Sequence, residues 1–160
     1  MLAVKFCGLR RPEDVAFARE TRPDFVGFVL AESRRRVTPE QAAALREMLG
    51  PDIRAVGVFV NEPLDSLCET VNRAHLDVVQ LHGEETAEDI ARLRERLPGA
   101  ALWKAVRVRD RADLIRADSL PVDALLLDGS TPGSGQPANW ALIRDTPLHT
   151  PFFLAGGLCA

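Results

Sequence analysis

The residues with chemistry to offer stand at the ends of short apolar runs. Lys5-Phe6-Cys7-Gly8 closes the first run, Asn61 the third, Gln80-Leu81-His82-Gly83 the fourth, Asp128-Gly129 the sixth and Ala155-Gly156-Gly157-Leu158 the seventh. A thiol and a carboxylate can exchange protons with a substrate, and paired glycines let backbone N–H groups approach an anion. Each residue also has a plainer reading. Taken alone, Cys7 reads as a small buried thiol, Asp128 as a cap or turn carboxylate, His82 as a structural histidine and Gly156-Gly157 as a turn. Together these residues point to a site: an inert scaffold gives no reason for polar and small residues to gather at the same end of successive runs.

The elements that would carry these residues recur about every 20–30 positions, each apolar run being followed by a stretch of helical character. The runs are Leu2 to Phe6, Phe25 to Leu30, Ala55 to Val60, Asp77 to Leu81, Ala101 to Val106, Ala124 to Leu127 and Phe152 to Ala155. Most are continuous Val/Leu/Phe rather than alternating, as strands covered on both faces require. Between them, Thr38 with Pro39 and Gln41 forms a capping-box signature for a helix to about Leu49, ended by Gly50-Pro51. Leu64, Leu67 and Val71, then Ile90, Leu93 and Leu97, repeat an i, i+3, i+7 stripe, and Thr86 and Asp110 have the chemistry of N-caps. The class is therefore α/β with parallel strands. Periodicity alone leaves an open doubly wound sheet and a closed barrel both standing. The dinucleotide-binding version of the former is disfavoured: the first turn reads Cys7-Gly8-Leu9-Arg10, and Gly133-Ser134-Gly135 lacks a third glycine. A barrel would place its active site at the C-terminal ends of the strands, where the polar residues gather.

Composition narrows the partners. With 20 Lys+Arg against 23 Asp+Glu in 160 residues the formal charge is -3, which gives no electrostatic case for nucleic acid or a membrane surface. Arg34 to Arg36 is too short for a polybasic arm. No apolar stretch approaches the ~18 residues of a membrane span, and Met1 to Gly8 lacks the pattern of a signal peptide, so the expected compartment is the cytoplasm. Cys7, Cys68 and Cys159 are far apart and form no CxxC pair, which predicts free thiols rather than a disulfide or a zinc site. No linker divides the chain, and residues 1–160 read as one domain.

In order and spacing the strand phrases resemble those of the phosphoribosylanthranilate isomerase family. The phrases are Lys5-Phe6-Cys7-Gly8 with Glu13-Asp14, Val26-Gly27-Phe28-Val29 with Ser33 to Val37, Val56-Gly57-Val58-Phe59-Val60-Asn61, Val79-Gln80-Leu81-His82-Gly83-Glu84, Leu125-Leu126-Leu127-Asp128 and Ala155-Gly156-Gly157-Leu158. The resemblance implies a TIM (β/α)8 barrel and an Amadori rearrangement of a phosphosugar–anthranilate substrate, a step of tryptophan biosynthesis that needs no redox cofactor and no metal. It implies Cys7 as general base and Asp128 as general acid. It gives Arg35 the anthranilate carboxylate, which a planar guanidinium suits. Arg34 and Arg36 flank Arg35 where the family has proline and an aromatic, so a one-residue slip, or a plain solvated basic loop, is the alternative. Gly156 and Gly157 match half of the family's phosphate site, and Gln80 and His82 are expected to line the cavity. Gly133-Ser134-Gly135 resembles the loop after strand six that Trp140 closes, with Ala138 and Asn139 replacing the usual aromatic and Asp. Cys68 and Cys159 are expected bystanders.

Counting strands adds a last expectation. The sequence stops at Ala160 just past the seventh run, so the barrel is expected to be incomplete, lacking a helix–strand–helix segment. The open strand edges are then expected to favour association. The rival readings are an inactive barrel fragment and another phosphosugar-binding barrel enzyme; a metal-dependent epimerase would need several strand-end ligands, and only His82 stands in such a position.

Overall fold

A computed structural model describes residues 2–128 and 140–156. Strands and helices alternate through them: β1 (Lys5–Cys7), α1 (Pro12–Thr21), β2 (Phe25–Val29), α2 (Pro39–Met48), β3 (Arg54–Phe59), α3 (Leu64–Arg73), β4 (Val78–Leu81), α4 (Ala87–Arg96), β5 (Ala101–Arg107), α5 (Arg111–Asp118), β6 (Ala124–Asp128), α6 (Trp140–Arg144) and β7 (Phe152–Ala155). This is the βα repeat of the (β/α)8 class. No helix among the described residues is long and apolar enough to cross a membrane. Two compact units, Met1–Ala101 and Leu102–Ala160, make up the chain.

In the first unit β1, β2, β3 and β4 lie side by side, all parallel. Register pairs Cys7 with Gly27, Gly27 with Val56, Val56 with Val78, and Val58 with Gln80. Because paired residues of a sheet share a face, Lys5, Cys7, Gly27, Val58 and Gln80 stand on one side. The other side carries Phe6, whose ring stacks on Phe17 of α1 at 6.1 Å between centroids. The helices begin where local chemistry directs. Thr38 and Thr86 each accept a hydrogen bond from the N3 backbone N–H, and the Gln41 and Asp89 side chains accept one from the cap backbone N–H, an arrangement in which the cap residue contributes about 1 kcal/mol. The apolar stripes face inward: Leu67, Val71, Ile90, Leu93 and Leu97 are all buried.

An aspartate placed just before each even-numbered strand sets the register. Asp24 Oδ2 accepts the Val4 N–H at 2.7 Å, Asp77 Oδ2 the Ala55 N–H at 2.7 Å, and Asp123 Oδ2 the Leu102 N–H at 2.7 Å. Each carboxylate thus ties the start of the preceding odd strand to its neighbour. This clamp corrects the extent of the first strand: β1 starts at Lys5, not Leu2, because pairing begins at Lys5–Phe25, and Leu2 is 89% exposed.

In the second unit β5, β6 and β7 are parallel, with Ala105 opposite Leu126 and Leu126 opposite Phe153. Leu125 and Leu127 turn the other way, into a core with Leu114, Ala117 and Ile143 from the helices. Two carboxylates organise the connections. Asp113 receives hydrogen bonds from the Arg109 backbone and guanidinium and from Arg116, chiefly the Arg109 side chain holding it far below the usual carboxylate range. Asp118 accepts from the Thr150 and His149 N–H groups and from the His149 ring, and these too hold it far below that range. Groups easier to ionise when folded stabilise the fold fully above the unfolded carboxylate value of about 4, and that support is lost as pH falls toward the folded value. The melting temperature is therefore expected to drop as pH is lowered from about 5 to about 2, and more shallowly in Asp118→Asn, as thermal melts at stepped pH would read.

Candidate active site

The turn that ends β1 is built around Gly27. The Gly8 and Leu9 N–H groups both donate to the Gly27 carbonyl, at 2.8 and 3.1 Å, which fixes Cys7 at the C-terminal end of its strand. Cys7 is exposed, whereas Cys68 is buried in α3 with its thiol pushed up by burial. A substrate-accessible sulfur is what proton abstraction requires. Gly27 also makes room for it: a Cβ there would stand 2.8 Å from Cys7 Sγ and 3.2 Å from Lys5 Nζ.

The three arginines after β2 separate by what they touch. Arg35 lies across Gly8, which has φ +87°, and its Nη1 donates to the Cys7 carbonyl at 3.4 Å. A side chain on Gly8 would meet Arg35 Cδ at 2.6 Å, so the glycine both makes the turn and opens the way for the arginine. Arg36 instead pairs with Glu32 at 2.8 Å, and the Arg34 carbonyl accepts from Arg10 Nη1 at 3.0 Å, securing the turn. Arg35 is the arginine brought to Cys7. A cleft of about 810 Å³ at the end of β1 is lined by Phe6, Gly8, Leu9, Asp14, Phe17 and Arg35.

At the ends of β3 and β4 the polar residues divide between scaffold and cavity. Asn61, with φ +50°, accepts the Glu84 N–H through its side chain at 2.7 Å while its own N–H donates to Glu85 at 2.9 Å. Asn61 and Glu85 thus join the two loops, and Gly83 is required beside them because a Cβ there would stand 2.8 Å from the Asn61 nitrogen. Gln80, on the Cys7 face, is 2% exposed and its Oε1 has no hydrogen-bond partner among the described residues. Its Nε2 lies 3.5 Å from Nδ1 of the exposed His82.

The second unit carries the carboxylate. Asp128 is the last residue of β6, partly exposed, opposite Arg107 of β5 and Ala155 of β7. Gly156 follows β7 with φ +74°, a turn that glycine accommodates. Gly157, Gly133-Ser134-Gly135, Ala138, Asn139, Cys159 and the Trp140 side chain lie outside the described residues. Lys5 and Gly27 acquire a place beside Cys7 that the motif alone did not give them; for Lys5 the signal was available, since positions 5 and 7 of a strand share a face.

The chain matches the family model described as N-(5'-phosphoribosyl)anthranilate (PRA) isomerase over residues 4–160. It is 40% identical over 162 residues to the N-(5'-phosphoribosyl)anthranilate isomerase of Thermoanaerobacter pseudethanolicus, covering 99% of this chain and 78% of the relative. The phosphoribosyl anthranilate isomerase structure from Thermus thermophilus superimposes with a TM-score of 0.86 at 37% identity, over 99% of this chain and 78% of that one. A further phosphoribosyl anthranilate isomerase structure, in complex with reduced 1-(o-carboxyphenylamino)-1-deoxyribulose 5-phosphate, matches with a TM-score of 0.83 at 34% identity, over 99% of this chain and 77% of that one. With its strand-end phrases, its βα repeat and these relatives in agreement, the chain belongs to the N-(5'-phosphoribosyl)anthranilate isomerase family.

Proposed function

We propose that this protein isomerises N-(5'-phosphoribosyl)anthranilate to 1-(o-carboxyphenylamino)-1-deoxyribulose 5-phosphate, with Asp128 as general acid and Cys7 as general base. Asp128 gives its proton to the ring oxygen as the bond from that oxygen to sugar C1 breaks, and the nitrogen lone pair forms the imine. Cys7 then takes the hydrogen of C2 as a proton. The electron pair left behind becomes the C1–C2 double bond of an enolamine, and tautomerisation moves a proton onto C1 and leaves a ketone at C2. Atoms balance, since substrate and product are isomers. The observation that carries this reading is the exposed Cys7 thiol at the end of β1 with the Arg35 guanidinium drawn over Gly8 beside it. Arg35 suits the anthranilate carboxylate, which would orient the sugar carbons toward Cys7. Gln80 and His82 contribute polar atoms on the cavity side, and the turn at Gly156 offers its backbone N–H to the phosphate.

The arginine assignment has a clean test. Arg35→Ala is expected to raise KM by roughly ten- to a hundredfold, the magnitude of a lost charge-assisted hydrogen bond of ~1.5–3 kcal/mol. Arg36→Ala, whose guanidinium is engaged by Glu32, is expected to leave KM within about threefold of wild type. Steady-state kinetics on the two variants decide it: the reverse pattern would transfer the carboxylate to Arg36.

A further inference from the structure

We propose that Lys5 is a positioning residue for the isomerisation, its ammonium holding positive charge against Cys7 Sγ so that the sulfur can carry the negative charge of a base. The inference rests on the assignment of Cys7 as base. Lys5 and Cys7 project from the same face of β1, and both reach the space above Gly27: Nζ lies 3.2 Å and Sγ 2.8 Å from the point where a Gly27 Cβ would stand. Any side chain at position 27 would occupy the space that both groups border. Among the described residues no carboxylate pairs with Lys5, and the neighbouring Asp24 is engaged by the Val4 N–H. Among the described residues, therefore, no fixed anion neutralises the Lys5 charge.

Two cations flank Cys7, Lys5 from its own strand and Arg35 from the segment between β2 and α2. Their fates differ once substrate binds. Arg35 meets the anthranilate carboxylate and is neutralised, while Lys5, two residues down the strand, keeps its charge. Substrate also displaces water from the mouth of the site, and the attraction between an ammonium and a thiolate strengthens as the local dielectric falls. Lys5 is thus the cation that supports the sulfur at the moment the C2 proton moves.

The test compares wild type with Lys5→Met, Lys5→Gln and Lys5→Arg, each checked for folding by its melting temperature. Two readouts are taken: the rate of iodoacetamide alkylation of Cys7 at neutral pH, resolved from Cys68 and Cys159 by peptide mass mapping, and kcat and KM separately. Lys5→Met and Lys5→Gln are expected to lower both the alkylation rate and kcat roughly tenfold, with KM changed less than about threefold, and Lys5→Arg to recover most of both. A merely structural lysine would not slow the chemistry of a particular sulfur and be rescued by another cation. Alkylation at the wild-type rate in folded Lys5→Met and Lys5→Gln overturns the proposal, as does a loss confined to KM, which would make Lys5 a substrate contact. Failure of the underlying assignment is recognised separately: wild-type turnover by Cys7→Ala removes Cys7 as base, while the alkylation rates still decide whether Lys5 acts on the sulfur.

Discussion

Cys7→Ala and Asp128→Asn are each expected to lower kcat by roughly 10²–10⁴-fold, the range over which a general acid or base contributes, while Cys68→Ala keeps kcat near wild type. The asymmetry between the thiols comes from their surroundings. Cys7 is exposed at a strand end beside Arg35 and Lys5, whereas Cys68 is 5% exposed on the inward side of α3. In the proposed mechanism, removing Cys7 takes away the acceptor for the C2 proton, and removing the acidity of Asp128 leaves the ring oxygen to depart as an anion. KM should move less than kcat in both, since neither group is assigned a binding role. A kcat within a few-fold of wild type for either variant would take that residue out of the mechanism.

Gly27→Ala is expected to lower kcat by about 10²-fold while costing only about 1–3 kcal/mol of stability. The added methyl would stand 2.8 Å from Cys7 Sγ and 3.3 Å from Cys7 Cα. The β1 backbone cannot retreat freely, because the N–H groups of Gly8 and Leu9 are bonded to the Gly27 carbonyl. The sulfur, at the end of one rotatable bond, is what must move, and a displacement of about an ångström at a reacting atom is enough for a loss of that size. Steady-state kinetics and a denaturant titration on the same preparation separate the two effects. Near-normal kcat would mean that Cys7 has another productive position and that the space over Gly27 is not part of the site.

These two variants mark what the sequence makes legible and what it does not. Strand centres are readable because continuous Val, Leu and Phe runs fit a sheet covered on both faces, as the buried neighbours Phe25 and Val26, and Leu126 and Leu127, illustrate. Caps are readable because their chemistry is local, as at Thr38, Thr86 and Asp110. Strand starts are not: apolarity runs back to Leu2, but where pairing begins depends on Asp24 some twenty residues away. The repeated Asp clamp before β2, β4 and β6 is visible only once the strands are laid side by side. Cys7, Asp128, Arg35, Gln80, His82 and the Gly156-Gly157 pair are legible as candidates from their family phrases, yet their partnerships are not. Gly27 matters through its register with Cys7, and Arg35 rather than Arg36 lies by Cys7 because Glu32 holds the latter, which spacing along the chain does not reveal.

The most direct measurement follows sugar C2 itself, with N-(5'-phosphoribosyl)anthranilate carrying carbon-13 and deuterium at that position. As the purified protein turns over, NMR is expected to show the labelled carbon becoming a ketone carbon and losing its deuterium, with Cys7→Ala slowing both by the same roughly 10²–10⁴ factor. Consumption of the substrate with deuterium still bonded to C2, or loss of that deuterium at the wild-type rate in Cys7→Ala, would contradict isomerisation through a proton taken by Cys7.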